Sequence, residues 1–137
     1  MVNVYMDGVF DLFHQGHLDS IQSCADMGNV IIGVVSDKNA ESYKRRPIIC
    51  EKHRYNMIRS LTLVDKVVED APMFVTEDFI QEHKIDVVVR GFADKDDYDK
   101  QKDYFKIPID LGIFKQIEYS VENNTTKIIK KIQNLNT

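Results

Sequence analysis

The stretch Asp7-Gly8-Val9-Phe10-Asp11-Leu12-Phe13-His14-Gln15-Gly16-His17 decides how the rest of the chain is read. A short apolar run, Val2 to Met6, precedes it and reads as a β-strand, and Leu18 to Met27 follows and reads as a helix. The stretch is therefore a strand-to-helix turn. Such turns bind phosphate in α/β proteins, because the first helical N–H groups lack partners and the helix dipole is positive there. Gly8 lets the backbone come close to a ligand, and Gly16 lets the chain enter the helix tightly. His14 and His17 stand at i and i+3 around the helix start, so both can face one anion. An imidazole that donates a hydrogen bond to a phosphate oxygen stabilises charge growing in a transition state. The plain alternative is a pair of surface histidines in an ordinary loop; the flanking glycines and the preceding strand favour function. A zinc site needs three or four ligands. Neither Cys24 nor Cys50 has a partner at ligand spacing, so no metal site is expected here.

Working outward, Asn29 to Ser36 is a continuous apolar run, as expected for a strand buried on both faces of a parallel sheet. Strand, helix and strand make a βαβ unit. Lys38 to Arg46 reads as a polar loop ending in Tyr43-Lys44-Arg45-Arg46-Pro47, whose three cations either grip phosphates or form a solvated turn. Glu51 to Leu63 reads as a helix with Tyr55 and Ile58 on its apolar side, and Val64 to Val68 as a short strand. Thr76 is a candidate N-cap for a helix to His83. Ile85 to Val89 reads as a buried strand ending at Arg90-Gly91. Asp94 to Asp103 carries mixed charge and reads as a solvated, mobile segment. Gln116 to Tyr119 is expected to be the last strand. Thr125 to Leu135 is a basic amphipathic helix, with Ile128, Ile129 and Ile132 expected to pack on the sheet. The fold class is α/β: one Rossmann-like three-layer domain over residues 1–137, with a parallel sheet of about five strands and the site at their carboxyl ends.

The length of 137 residues suits one domain, and 43% hydrophobic residues suffice for a core. A net charge of −4 gives no electrostatic footprint for nucleic acid. No stretch is long and apolar enough to cross a membrane, and no leader is read before the first strand. Two cysteines without a framework point to a reducing, cytoplasmic setting.

Asp7 to His17 resembles the H-x-G-H loop of the nucleotidyltransferase superfamily. Within it, the chain is similar to the cytidylyltransferases that act on phosphocholine and phosphoethanolamine. The likeness runs without an obvious gap from Lys44 to Gly91, taking in the family's E-x-x-R at Glu51 to Arg54 and its V-D-E-V-V at Val64 to Val68. The resemblance implies CMP transfer from CTP to a small phosphorylated alcohol, with pyrophosphate released, as in phospholipid biosynthesis. It implies Mg²⁺ brought with the nucleotide, and a homodimer. It places His14, His17 and Lys44 in catalysis, and Lys44 between the two substrates' phosphates. The nucleotide would lie among Gly8, Val9, Phe10, Asp11, His14, His17, Arg90, Gly91, Tyr119, Thr125 and Thr126, and the acceptor against Lys44 and Met73. For Arg54, an ion pair to a neighbouring loop and a direct role stay equally open.

The chain also departs from the family. Tyr119 stands where an arginine contacts the triphosphate, Glu122 where a glycine stands, and Asn124 where a serine stands. A guanidinium and a phenol are not equivalent there, so Arg45, Arg46 or Arg90 would have to substitute. Met73 takes the place of an aromatic that faces the acceptor's trimethylammonium group, offering polarisable contact but no ring face. Val89-Arg90-Gly91 is faintly similar to the adenylyltransferases. An ATP-using adenylyltransferase, and a nucleotide-binding protein with weak or lost activity, therefore stay as alternatives.

Overall fold

Alternation of side chains along the strands builds this molecule from the centre outward. The computed structural model describes residues 1–119 and 124–135. In β1 (Asn3–Gly8), Val4 and Met6 face one side and Tyr5 the other, and all three are buried. In β2 (Asn29–Val34), Val30, Ile32 and Val34 share the first side and Ile31 the second. A strand that buries both faces needs apolar residues at every position, which explains the unbroken runs.

With β3 (Lys66–Glu69), β4 (Val87–Arg90) and β5 (Phe114–Gln116), these strands form one sheet in the order β3-β2-β1-β4-β5. Every pairing is parallel. On one face, α1 (Gln15–Ala25) inserts Ile21 and Cys24, and α3 (Glu51–Arg59) inserts Tyr55 and Ile58. On the other, α4 (Glu77–Glu82) inserts Phe79 and Ile80 beside Phe105. Each fully buried aliphatic side chain stabilises the fold by roughly 1.5–3 kcal/mol relative to exposure. The chain leaves β1 for β2 and β3 on one side, then returns to place β4 on the other. That reversal makes β1 and β4 a topological switch point, whose carboxyl ends diverge into a crevice.

Several expectations change. The stretch expected to be a polar loop contains α2 (Asp37–Tyr43), started by Ser36, whose hydroxyl accepts the Asn39 N–H at 3.2 Å. The segment expected to be mobile is largely α5 (Lys95–Gln101), capped by Asp94, which accepts the Asp97 N–H at 2.9 Å. Its end, Gln101, is buried. A 3-10 turn at Lys102–Phe105 and the short α6 (Lys106–Asp110) follow. The last strand lies two residues earlier than expected at its start. The final helix, α7 (Thr125–Asn134), forms as expected but buries none of its residues. Ile128 and Ile129 are half-buried, but Ile132 and the following Leu135 remain 53% and 74% exposed, so the expected packing is not observed for Ile132. The expectation for 120–123, including Glu122 in place of a glycine, lies outside the described residues.

Candidate active site

The β1–α1 loop is held in a strained shape. Phe10 and Leu12 both adopt positive φ, 56° and 50°, at roughly 1–3 kcal/mol each for residues with a Cβ. Two features hold the loop there. The Phe10 ring is buried over Gly8, where a Cβ would lie 2.9 Å from its Cε2 atom. Asp11 is buried too, and its carboxylate accepts the backbone N–H groups of Ile48 and Ile49 at 2.7 and 2.8 Å. Gly8 is therefore demanded by the neighbouring ring. Asp11, expected at the nucleotide, acts by fastening the 44–49 segment to the loop. Its carbonyl also accepts the Thr125 hydroxyl at 2.7 Å, which ties the start of α7 to the same place.

His14 is the N-cap of α1, and its Nδ1 accepts the Gly16 N–H at 3.0 Å. His17 reaches back, and its Nδ1 accepts the His14 N–H at 3.2 Å. The two rings lie 4.0 Å apart, with Phe13 stacked against His17 at 5.4 Å. A ring nitrogen that accepts carries no proton, so both imidazoles are assigned as neutral with the proton on Nε2. Burial lowers the pKa of His14. Burial, His14 and Lys44 together bring His17 down to about 3. Among the described residues His14 Nε2 has no hydrogen-bond partner although it is shielded from solvent. Two neutral imidazoles, each with an Nε2–H to donate, thus stand together at the start of α1.

Lys44 closes α2 and stays accessible to solvent, with its Nζ 5.7 Å from the Tyr43 ring centroid. Loss of hydration first, then the nearby Arg90 guanidinium, lowers its ammonium to about 8. Arg90, at the end of β4, is buried. It donates to the Asp7 carboxylate at 2.8 Å, to the Asp7 carbonyl at 2.6 Å and to Gln101 at 2.7 Å. Burial raises the Asp7 pKa, while Arg90 pulls it the other way. Gln101 is in turn held by the Asp97 carboxylate.

Arg54 resolves to the structural reading. It is 1% exposed and donates to the carbonyls of Ile49, Val9 and Val35 and to Asp37, all within 2.7–2.9 Å. It joins the ends of β1 and β2 to α2 and the loop before α3.

These elements surround one cleft of about 630 Å³, a volume suited to a small-molecule site. Gly8, Val9, Phe10, Asp11, His14 and His17 enter it from the β1–α1 loop and helix, and Lys44 from α2. Arg90 and Gly91 enter from β4, and Tyr119, Thr125 and Thr126 from the other side of the sequence. Met73 alone among the expected residues does not line it. Met73 lines a neighbouring hole of about 10 Å³, with Tyr43, Tyr104, Phe105 and Arg90. Tyr43, Asp97, Gln101 and Asn124 are among the further residues of the cleft that were not expected there. Asn124 carried a signal, since an Asn before Thr125-Thr126 is an N-cap pattern, and it does accept the Lys127 N–H at 2.9 Å. Gln101 and Asp97 carried none, because their partner Arg90 is brought to them by the tertiary fold.

A family model described as Cytidylyltransferase-like matches residues 5–131. An ethanolamine-phosphate cytidylyltransferase from Arabidopsis thaliana is 32% identical over 134 residues, covering 94% of this chain and 32% of the relative. A choline-phosphate cytidylyltransferase from Saccharomyces cerevisiae is 37% identical over 140 residues, covering 96% of this chain and 31% of the relative. The chain thus spans about a third of the length of these relatives. Among solved structures, a lipopolysaccharide core biosynthesis protein from Thermoplasma volcanium superposes with a TM-score of 0.68 at 26% identity. That match covers 88% of this chain and 97% of the other.

Proposed function

Because the chain belongs to the cytidylyltransferase-like family, we propose that it transfers CMP from CTP to a small phosphorylated alcohol. Phosphoethanolamine and phosphocholine, the acceptors for which these relatives are named, define the class. An oxygen of the acceptor phosphate attacks the α-phosphorus in line. The bond from that phosphorus to the α–β bridging oxygen breaks, and pyrophosphate leaves with the electron pair. The observation that carries the reading is the histidine pair. Both Nδ1 atoms are occupied by backbone N–H groups, which leaves two uncharged Nε2–H donors for oxygens that gain charge in the transition state.

Lys44 holds the acceptor phosphate against the α-phosphate, and its lowered pKa still leaves it mostly charged at neutral pH. The start of α7, tied to Asp11 through Thr125, presents helical N–H groups and a positive dipole end to the triphosphate. The arginine lacking at Tyr119 is replaced by Arg45. Arg90 is tied to Asp7 and Gln101, and Arg46 pairs with Glu41 at 3.5 Å. Arg45 lines the cleft, 3.6 Å from Asp11, and its Nε and Nη2 atoms have no hydrogen-bond partner among the described residues. Asp94 and Asp96 line the cleft, so carboxylate oxygens are at hand for a Mg²⁺ that phosphate and water would mostly hold. When bound, it would neutralise charge on the leaving pyrophosphate. The working protein is proposed to be a cytoplasmic homodimer; its two free cysteines agree with a reducing compartment.

Titrating CTP and ATP separately by calorimetry, then following pyrophosphate release with phosphorylated alcohols, tests this reading. Tighter binding of CTP and acceptor-dependent release are expected. Tighter ATP binding would make it an adenylyltransferase, and binding without release would leave a nucleotide-binding protein.

A further inference from the structure

We propose that Gln101 is a positioning residue for the nucleotide: together with Asp97 it sets Arg90 on Asp7 and holds the loop between β4 and α5 in its binding shape. The inference rests on the transfer reading above and concerns a side chain that acts through its neighbours.

Gln101 ends α5 and is only 3% exposed. A buried amide needs partners at both of its ends. Its Oε1 accepts from Arg90 Nη2 at 2.7 Å, and its Nε2 donates to Asp97 Oδ1. A guanidinium only donates and a carboxylate only accepts, so the amide fits in one orientation. Asp97 uses its other oxygen to accept the Ala93 N–H at 2.9 Å. Arg90 Nη1 donates to the Asp7 carboxylate at 2.8 Å and to the Asp7 carbonyl at 2.6 Å. One run of hydrogen bonds thus links the end of β1, the end of β4, α5 and the loop at Ala93. Asp7, Arg90, Ala93, Asp94, Asp97 and Gln101 all line the cleft.

Phe105, one helical turn beyond Gln101, places its ring centroid 5.8 Å from the Arg90 guanidinium carbon. The ring supplies contact area, and the amide supplies direction. Without the amide, Arg90 and Asp97 would face each other as unpaired opposite charges. Their attraction would draw Arg90 away from Asp7 and Asp97 away from Ala93. The nucleotide would then have to order the loop from Gly91 to Asp94 as it binds, and that cost is taken from its affinity. Lys44 enters the cleft from α2 and is not a member of this run, so the acceptor phosphate is spared.

The test measures the CTP dissociation constant by calorimetry. It also measures, at saturating CTP, kcat and acceptor KM from pyrophosphate release with phosphoethanolamine or phosphocholine, whichever the wild type uses. Gln101→Leu, of similar volume, removes both bonds. It is expected to weaken CTP binding by about tenfold or more, with acceptor KM and kcat within about threefold of wild type. Gln101→Glu still accepts from Arg90 but sets a second carboxylate against Asp97, and should weaken CTP binding likewise. Adding Asp97→Asn to it reverses the polarity of the same bonds at unchanged net charge. The new amide donates to the new carboxylate and still accepts the Ala93 N–H, so most of the CTP affinity should return. If Gln101→Leu does not fold, Gln101→Asn, which withdraws the amide by one methylene, is read in the same way. Unchanged or tighter CTP binding in folded Gln101 variants overturns the inference. So does an equal loss for CTP and acceptor, or a double mutant that regains its melting temperature without its CTP affinity. These outcomes leave CMP transfer standing. A wild-type protein that does not bind CTP, or releases no pyrophosphate from it, overturns the transfer reading itself, and the inference with it.

Discussion

His17 is held neutral by its surroundings, and that state has two measurable consequences. As a donor to the reacting phosphate it should matter mainly in the transition state, where one such donor contributes about 3 kcal/mol. His17→Ala should lower kcat by at least about a hundredfold in a pyrophosphate-release assay, with the far-ultraviolet circular dichroism unchanged. Near-normal turnover in a folded mutant would remove the role. The second consequence is a pH dependence of stability. The imidazole titrates near 6.5 in the unfolded chain and near 3 in the folded one. Between those values the unfolded state binds the extra proton. The stabilisation from keeping His17 neutral is thus complete above about pH 6.5 and is lost progressively as the pH falls toward about 3. This one group should cost about 2 kcal/mol by pH 5. In urea unfolding at a series of pH values, His17→Asn should flatten the slope between pH 6.5 and 5. An equal slope in both proteins would mean that His17 is not held neutral.

At the scale of the element, the segment from α2 to α3 positions Lys44 and Arg45, and two buried side chains hold that segment to the sheet. Asp11 accepts from Ile48 and Ile49, and Arg54 donates to three carbonyls and Asp37. Asp37 and Glu51 also exchange reciprocal bonds to each other's backbone N–H, at 2.9 and 3.3 Å, which couples the starts of α2 and α3. A lysine cannot reproduce a planar fork of donors aimed at four acceptors. Arg54→Lys should therefore lower stability by about 3 kcal/mol or more, because it strands Asp37 and buried carbonyls. The chemical-denaturation midpoint measures this. A shift worth less than about 1 kcal/mol would show that solvent satisfies those acceptors instead.

At the scale of the whole molecule, the Tyr5 side chain of β1 can lie across β2 only because Gly33 carries no side chain. A Cβ there would stand 2.2 Å from the Tyr5 hydroxyl and 2.9 Å from Ala71 Cβ. Tyr5 is fully buried, and its hydroxyl has no partner among the described residues. Gly33→Ala should overpack this contact and cost about 1–3 kcal/mol. Tyr5→Phe removes a hydroxyl that makes no bond, so by itself it should be close to neutral, and it should recover part of the loss in the double mutant. Thermal unfolding of the two single mutants and the double mutant completes the cycle. Additive losses would mean that the clash is relieved elsewhere.

The sequence by itself determined the α/β sheet, the buried strands and the loop from Asp7 to His17. These are local matters: side-chain alternation, capping residues and glycines act within a few positions of one another. That is why His14 and His17 were legible as a pair, and why Thr76 was legible as a cap; its hydroxyl accepts the Phe79 N–H at 3.1 Å. The tertiary structure alone decided what Arg54 and Arg90 do, since their partners lie up to 45 and 83 positions away. A charged residue in a sequence does not state whether it will be solvated or buried against a distant carboxylate. Asp94 to Asp103 showed the same ambiguity: its charges pointed to a solvated loop, yet they cap α5 and hold Gln101 against Arg90. The floor of the cleft is set by those long-range pairs, because only folding decides which charges are neutralised from within.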